Sequence, residues 1–180
     1  MMRSILAAAA LALAACGDPE SGVMAEIERA EKADADAAQA TATEGAAFLE
    51  RVRAQPGVEA RPSGLLIERR ARGRNQSLPR PSEEASVLVH YEGKLADGTV
   101  FDSSFERGEP AEFPLQAVVP GFSEAITQMR PGDEIVATFP MELGYGPEGR
   151  GPIPPAAPLQ FRIILLAFQE PGGQVVEAPR

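Results

Sequence analysis

Residues 87–104 constrain the fold of this chain more than any other stretch of its sequence. Alternate side chains at the start of the run are apolar or aromatic, which is the two-residue period of a strand with one buried face. These side chains are Val87, Val89 and Tyr91, and the opposite face carries Leu88, His90 and Glu92. An Asp97-Gly98 pair follows, and Gly accepts the positive φ of a tight turn between strands. The run therefore predicts a β-hairpin.

The second strand of this hairpin carries an unusual pair of residues. Phe101 and Asp102 place a large apolar ring directly beside a carboxylate. Neighbouring residues of a strand point to opposite faces unless a bulge intervenes. An aromatic ring and a carboxylate this close together indicate the lip of a pocket.

The charge balance and the cysteine count exclude several kinds of protein. Acidic residues outnumber basic ones by 26 to 17, and the formal net charge is −9. A nucleic-acid-binding surface needs clustered excess Lys and Arg, so nucleic acid is not an expected partner. Cys16 is the single cysteine, which excludes an internal disulfide. The single histidine, His90, is more typical of a packed strand residue than of a metal site, and we expect neither a metal nor a cofactor.

The first 16 residues have the pattern of a bacterial lipoprotein signal. Arg3 supplies a positive charge, and residues 5–15 form an uninterrupted apolar or small-residue run. This is the length of a secretory signal and is too short to span a bilayer comfortably. The run leads into Cys16 through Leu13-Ala14-Ala15, which resembles a lipobox, where the chain is cut before a cysteine that carries a lipid.

We therefore expect residues 1–15 to be a signal peptide and Cys16 to be lipidated. The protein would then face the periplasm, anchored to a membrane of the bacterial cell envelope. Gly17 stands where an inner-membrane retention signal has Asp, which favours the outer membrane weakly. The alternative is a plain secretory signal with a chance cysteine.

A helical segment is predicted over residues 24–60, after a polar tether over residues 16–23. The segment is rich in Ala, Glu, Asp and Arg, with no proline before Pro56. Gly45 interrupts it, so two helical pieces are possible, and Gln55-Pro56-Gly57 ends the second. The segment is interpreted as a partly solvated spacer, with a dimerisation or docking helix as the alternative.

From residue 61 the pattern changes to short strands, which predicts a second domain over residues 61–170. Strands alternate with turn signals, and one short helix follows Pro120-Gly121. We predict an α+β fold, in which an antiparallel sheet wraps around this helix after the N-terminal helical segment. Residues 171–180 show no packing signal and are predicted to be a flexible tail.

Seven motifs in order along this domain resemble the FKBP-type peptidyl-prolyl isomerases. They are Val89-His90-Tyr91, Asp97-Gly98, Phe101-Asp102-Ser103-Ser104, Phe113-Pro114-Leu115, Val119-Pro120-Gly121-Phe122, Gly144-Tyr145-Gly146 and Ile153-Pro154-Pro155. The lead-in over residues 47–65 is similar to the macrophage infectivity potentiator and periplasmic FKBP branch, whose N-terminal helices can mediate dimerisation. The resemblance implies an isomerase that assists folding of exported, proline-containing polypeptides, with a possible homodimer through the N-terminal helix.

The resemblance also implies the residues of a prolyl pocket. Those assigned to catalysis are Tyr91, Phe101, Asp102, Tyr145 and Phe161, and those assigned to substrate binding are Val118, Val119, Phe122 and Ile153. Phe122 stands where the family most often has Trp, Ala111 replaces a further wall aromatic, and Arg150 lies near where some members carry His.

Two alternatives accompany this assignment. Phe161, Val119 and Ile153 fit an ordinary core equally well, and Asp102 fits an ordinary side-chain-to-backbone turn. The substitutions at Phe122 and Ala111 also fit a binding or chaperone module that keeps the fold with little catalysis.

Overall fold

The computed structural model describes residues 19–179, with side chains from residue 23 onward. Residues 19–35 and 36–179 belong to two structural units, which are described separately. Among the described residues, no helix is both long enough and apolar enough to cross a membrane. The predicted signal peptide and Cys16 lie outside the described residues.

A single helix, α1 (Pro19–Arg53), replaces the two helical pieces that Gly45 left possible. Its start corrects the predicted tether over residues 16–23, because proline is well suited to the first turn of a helix. Its end at Arg53 agrees with the predicted stop at Gln55-Pro56-Gly57, whereas the helical segment predicted to residue 60 was too long. Pro56 and Gly57 stop the helix, and the chain then forms strand β1 (Val58–Ala60).

The rest of the domain is a sheet with two further short helices. The strands are β2 (Leu66–Ala71), β3 (Ser86–Lys94), β4 (Val100–Ser103), β5 (Ala111–Pro114), β6 (Glu134–Phe139), β7 (Leu159–Gln169) and β8 (Val175–Glu177). The helices are α2 (Ser104–Arg107) and α3 (Pro120–Thr127). The predicted short helix corresponds to α3, whereas α2 was not predicted.

The sheet is antiparallel throughout, in the order β1-β2-β6-β7-β3-β4, with β5 paired to β3 and β8 paired to β7. The predicted hairpin is present, since β3 pairs with β4 through Glu92 and Ser103. Every second residue of β3 is buried, as the alternation in the sequence predicts. The predicted α+β fold is confirmed.

Helix α3 packs on the inner face of this sheet and carries Phe122, one of the residues assigned to the pocket. It contacts β6, and Phe122, Ala125 and Ile126 are buried on it. Gly121 makes this close approach possible, because a Cβ there would lie 2.5 Å from the ring of Phe139. The core formed in this way lies between α3 and strands β2, β3, β6 and β7.

The chain end departs from the predicted flexible tail over residues 171–180. A turn at Gly172, whose φ is +69°, reverses the chain, and β8 then pairs with β7 through Val176 and Phe168. Pro171, Gly172 and Gly173 are turn residues, so they form a hairpin with the strand before them. The missed signal was this turn, since β8 itself is short and mostly exposed.

Candidate active site

A cavity of about 210 Å³ opens where α3 meets the concave face of the sheet. It is lined by Tyr91, Phe101, Asp102, Phe113, Ala117, Val118, Val119, Phe122, Tyr145, Arg150 and Phe161. All the pocket residues named from the sequence line this cavity except Ile153. They come from β3, β4, the start of α3, the loop before β7 and β7 itself, so the fold brings together residues far apart in the chain.

Aromatic rings form the floor and walls of the cavity. Phe122, which is 3 % exposed, packs edge-on against Phe161 with ring centroids 5.1 Å apart and against Tyr91 at 5.9 Å. Phe101 meets Phe161 edge-on at 5.5 Å. Such edge-to-face pairs are the favoured geometry of aromatic rings. The floor is therefore apolar and rigid with Phe rather than Trp at residue 122.

Gly93 creates the space for two of these rings. A Cβ at this position would lie 2.5 Å from Phe101 and 2.8 Å from Phe161. Gly93 belongs to β3 and pairs with Asp102 on one side and Phe161 on the other. The strand thus lets both rings close over its backbone.

Phe113 is a wall residue that the sequence analysis did not assign to the pocket. Its ring packs edge-on against Tyr91 at 5.6 Å and against Phe122 at 6.1 Å. It stands two residues after Ala111 in β5, on the same face of the strand. Phe113 therefore keeps this wall of the cavity aromatic, although residue 111 is Ala. The two-residue spacing between Ala111 and Phe113 was the signal available in the sequence.

The polar side of the cavity is a hydrogen-bonded network of three side chains. The Tyr91 hydroxyl donates to Oδ2 of Asp102, and Arg107 donates from Nη1 to Oδ1 of Asp102 at 2.5 Å. Arg107 also donates from Nη2 to the Tyr91 hydroxyl at 3.1 Å, and its guanidinium lies 5.6 Å from the Tyr91 ring centroid. Both oxygens of Asp102 are thus engaged.

These contacts move two pKa values in opposite directions. Burial disfavours the ionised form of Asp102, but hydrogen bonds from Tyr91 and Arg107 outweigh it, and the pKa of Asp102 lies below its ordinary value. Burial and the bond to Asp102 raise the pKa of Tyr91. Asp102 is therefore a carboxylate and Tyr91 a neutral phenol at neutral pH.

Arg107 was missed by the sequence analysis, and α2 explains its position. Ser103 caps this helix by accepting a hydrogen bond from the Glu106 N–H at 3.3 Å. One helical turn then brings Arg107 back beside Asp102. The signal was a capping serine directly after Asp102, followed by an arginine one turn later.

Two hydrogen-bond donors of the cavity are free for a ligand. The Val119 N–H and the Tyr145 hydroxyl have no hydrogen-bond partner within residues 19–179. Val119 precedes α3 in an extended conformation, and Pro120, which lacks an N–H, begins the helix. Both donors belong to residues that line the cavity.

Ile153 is not among the residues that line the cavity. It is 6 % exposed and belongs to the core. Its backbone exchanges hydrogen bonds with Arg150 at 2.9 and 3.0 Å, which closes the loop between Tyr145 and β7. Ile153 thus supports the loop that carries Tyr145 and Arg150. Its assignment to substrate binding stays a prediction.

Two other features do not form part of this site. His90 points away from the cavity, stacks on Phe105 at 5.0 Å and lies 3.1 Å from the Ser104 hydroxyl. In the part of the chain described by the structure, no group of acidic, His or Cys side chains could hold a metal ion.

A larger cavity of about 520 Å³ lies over the outer face of the sheet and is lined by paired charges such as Glu134 and Arg162.

The comparisons with known proteins agree with this geometry. Residues 79–166 match the model of the FKBP-type peptidyl-prolyl cis-trans isomerase family. The chain is 45 % identical to the FKBP-type 22 kDa peptidyl-prolyl cis-trans isomerase of Escherichia coli K12, over 77 % of this chain and 66 % of that protein. It is 43 % identical to the macrophage infectivity potentiator of Trypanosoma cruzi, over 71 % of this chain and 65 % of that protein.

Solved structures show the same likeness. The crystal structure of FkpA from Escherichia coli superposes with a TM-score of 0.76 at 30 % identity, covering 92 % of this chain and 76 % of that one. A peptidyl-prolyl cis-trans isomerase from Pseudomonas syringae gives 0.66 at 32 % identity, covering 76 % of this chain and 96 % of that one. The chain spans about half to two thirds of the length of its curated relatives. It belongs to the FKBP-type peptidyl-prolyl cis-trans isomerase family, in the branch of FkpA and the macrophage infectivity potentiators.

Proposed function

We propose that this chain is a peptidyl-prolyl cis-trans isomerase that assists the folding of exported, proline-containing polypeptides. The observation that carries the proposal is the aromatic cavity, whose single carboxylate is already held by Tyr91 and Arg107. Family membership supports the same activity. The reaction breaks no covalent bond, so the site needs a shaped environment rather than a nucleophile.

The apolar floor of the cavity lowers the barrier to rotation of the X-Pro bond. An X-Pro bond isomerises slowly because its partial double-bond character gives a barrier of about 18–20 kcal/mol. The planar amide is more charge-separated than the twisted one. A dry cavity floored by Phe122 and Phe161 solvates the planar form poorly and so favours rotation.

The polar groups hold the substrate in one conformation. The Val119 N–H and the Tyr145 hydroxyl donate to carbonyl groups on either side of the proline, which fixes a bound turn. Asp102 remains ionised, orients Tyr91 and faces the carbonyl carbon of the rotating amide. It transfers no proton in this mechanism.

A peptide isomerisation assay tests the proposal. Wild type should accelerate the cis-to-trans change of a proline-containing tetrapeptide, and Asp102→Ala should lower kcat/KM about tenfold through loss of charged hydrogen bonds. Tyr91→Phe keeps the ring and should have a smaller effect. Arg53→Gln, on α1 and paired with Glu50, is the control and should match wild type.

The same variants distinguish the alternative function. Background isomerisation by wild type, together with suppression of aggregation of an unfolded client, would show a binding module and overturn the enzyme proposal. Isomerisation that is equal in wild type and Asp102→Ala would overturn the assigned role of Asp102.

We further propose that the protein is anchored by a lipid on Cys16 in the bacterial cell envelope, facing the periplasm, with the outer membrane favoured. The support is the signal pattern of residues 1–16. Because one acyl chain anchors weakly, a doubly or triply acylated cysteine is needed for stable attachment. Cys16→Ser should move the protein from the membrane fraction to the soluble fraction, and an unchanged distribution would contradict the anchor.

Homodimerisation through α1 is also a proposal. Val23, Met24 and Ile27 are exposed large apolar residues in the first unit, and their spacing places them on neighbouring positions of the helix surface. Light scattering on the soluble form should show a dimer that Met24→Glu with Ile27→Glu converts to a monomer. A monomeric wild type would favour the spacer interpretation.

A further inference from the structure

The lining of the prolyl cavity carries one charge that no other side chain neutralises. Its two ionised lining residues are Asp102 and Arg150, and Asp102 is paired with Arg107. Arg150 is exposed and forms no ion pair with any carboxylate in residues 19–179, including Glu148 nearby in its own loop. The lining of the cavity therefore carries one positive charge that is not paired with a carboxylate, although the whole chain has a net charge of −9.

Arg150 is held at this mouth by its surroundings. Its guanidinium carbon lies 5.8 Å from the centroid of the Tyr145 ring, a cation–π contact. Its backbone is bridged to the buried Ile153 by two hydrogen bonds. Gly149 has a φ of +69°, and a Cβ there would lie 2.3 Å from the Ile153 carbonyl oxygen, so the turn before Arg150 is tightly packed.

We infer that Arg150 makes the site select clients with an acidic residue within two positions of the isomerised proline. The inference rests on the proposed isomerase function for the identity of the site. Successive residues of an extended peptide lie about 3.8 Å apart, so a side chain near the proline reaches the cavity rim. A guanidinium donates two parallel hydrogen bonds to a carboxylate, and Asp102, whose charge is paired with Arg107, repels that carboxylate little.

The size of the preference follows from the exposure of Arg150. Exposed ion pairs are weak because water and salt screen them. A pair between Arg150 and a peptide carboxylate should therefore give about a two- to fivefold preference for Glu over Gln. The preference should fall as salt is raised to about 0.5 M, because the Debye length shortens. A lysine beside the proline should be disfavoured against Gln by a similar factor.

The test uses labelled peptides that share one X-Pro core and carry Glu, Gln or Lys at a flanking position. Affinity is measured by fluorescence anisotropy, and kcat/KM is measured on the same peptides. Wild type should prefer Glu over Gln about two- to fivefold. Arg150→Gln should bring this ratio to one, whatever its effect on the Gln peptide itself, and Arg150→Lys should restore part of the ratio.

Arg53→Gln is the matched control, because it removes the same charge from the chain outside the cavity lining. It should keep the wild-type ratio. Equal affinity of wild type for Glu and Gln peptides, an unchanged ratio in Arg150→Gln, or an equal loss on all three peptides would overturn the inference. If wild type discriminates in binding but accelerates no peptide, the proposed function fails while the inference about Arg150 stands.

Discussion

Tyr91, Asp102 and Arg107 form the polar side of the cavity, and their contacts set the protonation of each group. Tyr91 and Arg107 both donate to Asp102, so together they keep it ionised beside aromatic rings. The pKa of Asp102 is lowered because these hydrogen bonds outweigh burial. Activity that depends on the carboxylate should therefore be constant from about pH 5 to pH 8.

Arg107→Gln should expose this dependence. Burial raises the pKa of Asp102, and without the Arg107 cation less remains to lower it, so this pKa should rise. The acid limb of the kcat/KM profile should therefore move to higher pH. At neutral pH, kcat/KM should fall about three- to tenfold, since one charged hydrogen bond is replaced. The pH–rate profile of both proteins measures the shift, and superimposable profiles would show that Arg107 does not control Asp102.

At the scale of elements, α1 continues through Gly45 because another part of the fold lies against it there. Gly45 is buried, and a Cβ at this position would lie 2.7 Å from Cδ of Pro158. A glycine inside a helix costs about 1 kcal/mol relative to alanine, and for this reason Gly45 predicts a break between two helical pieces. The close packing against Pro158 explains why glycine occupies the position without ending the helix.

The effect of Gly45→Ala on the free energy of unfolding should therefore change sign when Pro158 is also replaced. In the wild-type background, overpacking against a rigid ring costs about 1–3 kcal/mol and exceeds the gain in helix propensity of about 1 kcal/mol, so the free energy of unfolding should fall. In a Pro158→Ala background, the same substitution should raise it by about 1 kcal/mol. Urea unfolding of the four proteins completes the cycle, and an identical effect in both backgrounds would contradict the packing explanation.

At the scale of the whole molecule, Asp133 joins two segments far apart in the chain, residues 69–76 and 130–133. Its carboxylate is 1 % exposed and accepts hydrogen bonds from the Gly73 N–H at 2.8 Å, the Arg130 N–H at 3.0 Å and the Gln76 amide at 3.0 Å. Arg69 adds an ion pair at 3.1 Å. Burial disfavours the charge, but these bonds outweigh it, and the pKa of Asp133 lies below its ordinary value.

Asp133→Asn should lower the free energy of unfolding by about 3 kcal/mol at neutral pH, because buried donors then face an amide N–H₂. The unfolded carboxyl titrates near pH 4 with an ordinary pKa of about 3.9. Since the folded pKa is lower, the stabilisation is present above that pH and is lost as the pH falls through the folded value. The difference between wild type and variant should therefore narrow below about pH 4.

Denaturant unfolding at several pH values measures this difference. Glu134→Gln is the control, because the neighbouring pair with Arg162 is partly exposed and should contribute less than about 1 kcal/mol. A difference between wild type and Asp133→Asn that stays constant with pH would show that ionisation of Asp133 does not contribute.

Residue types and local spacing were enough to predict the hairpin of β3 and β4, helix α3 and the α+β class, whereas the cavity lining was implied by the family resemblance. The alternation from Val87 to Tyr91 and the Asp97-Gly98 turn are local signals, because a strand face and a tight turn depend on neighbouring residues. The residues named for the cavity came from motif order, and the fold places all except Ile153 in its lining.

The sequence by itself thus determined the hairpin of β3 and β4, helix α3 and the α+β class, and its motifs named most of the residues that line the cavity. Only the tertiary structure decided three contacts: Arg107 on Asp102, Phe113 in the cavity wall near Ala111, and Gly45 against Pro158. These depend on distances between residues far apart in the chain or on the turn of a short capped helix. Local periodicity carries no information on such distances, because they arise only when the sheet has folded around α3.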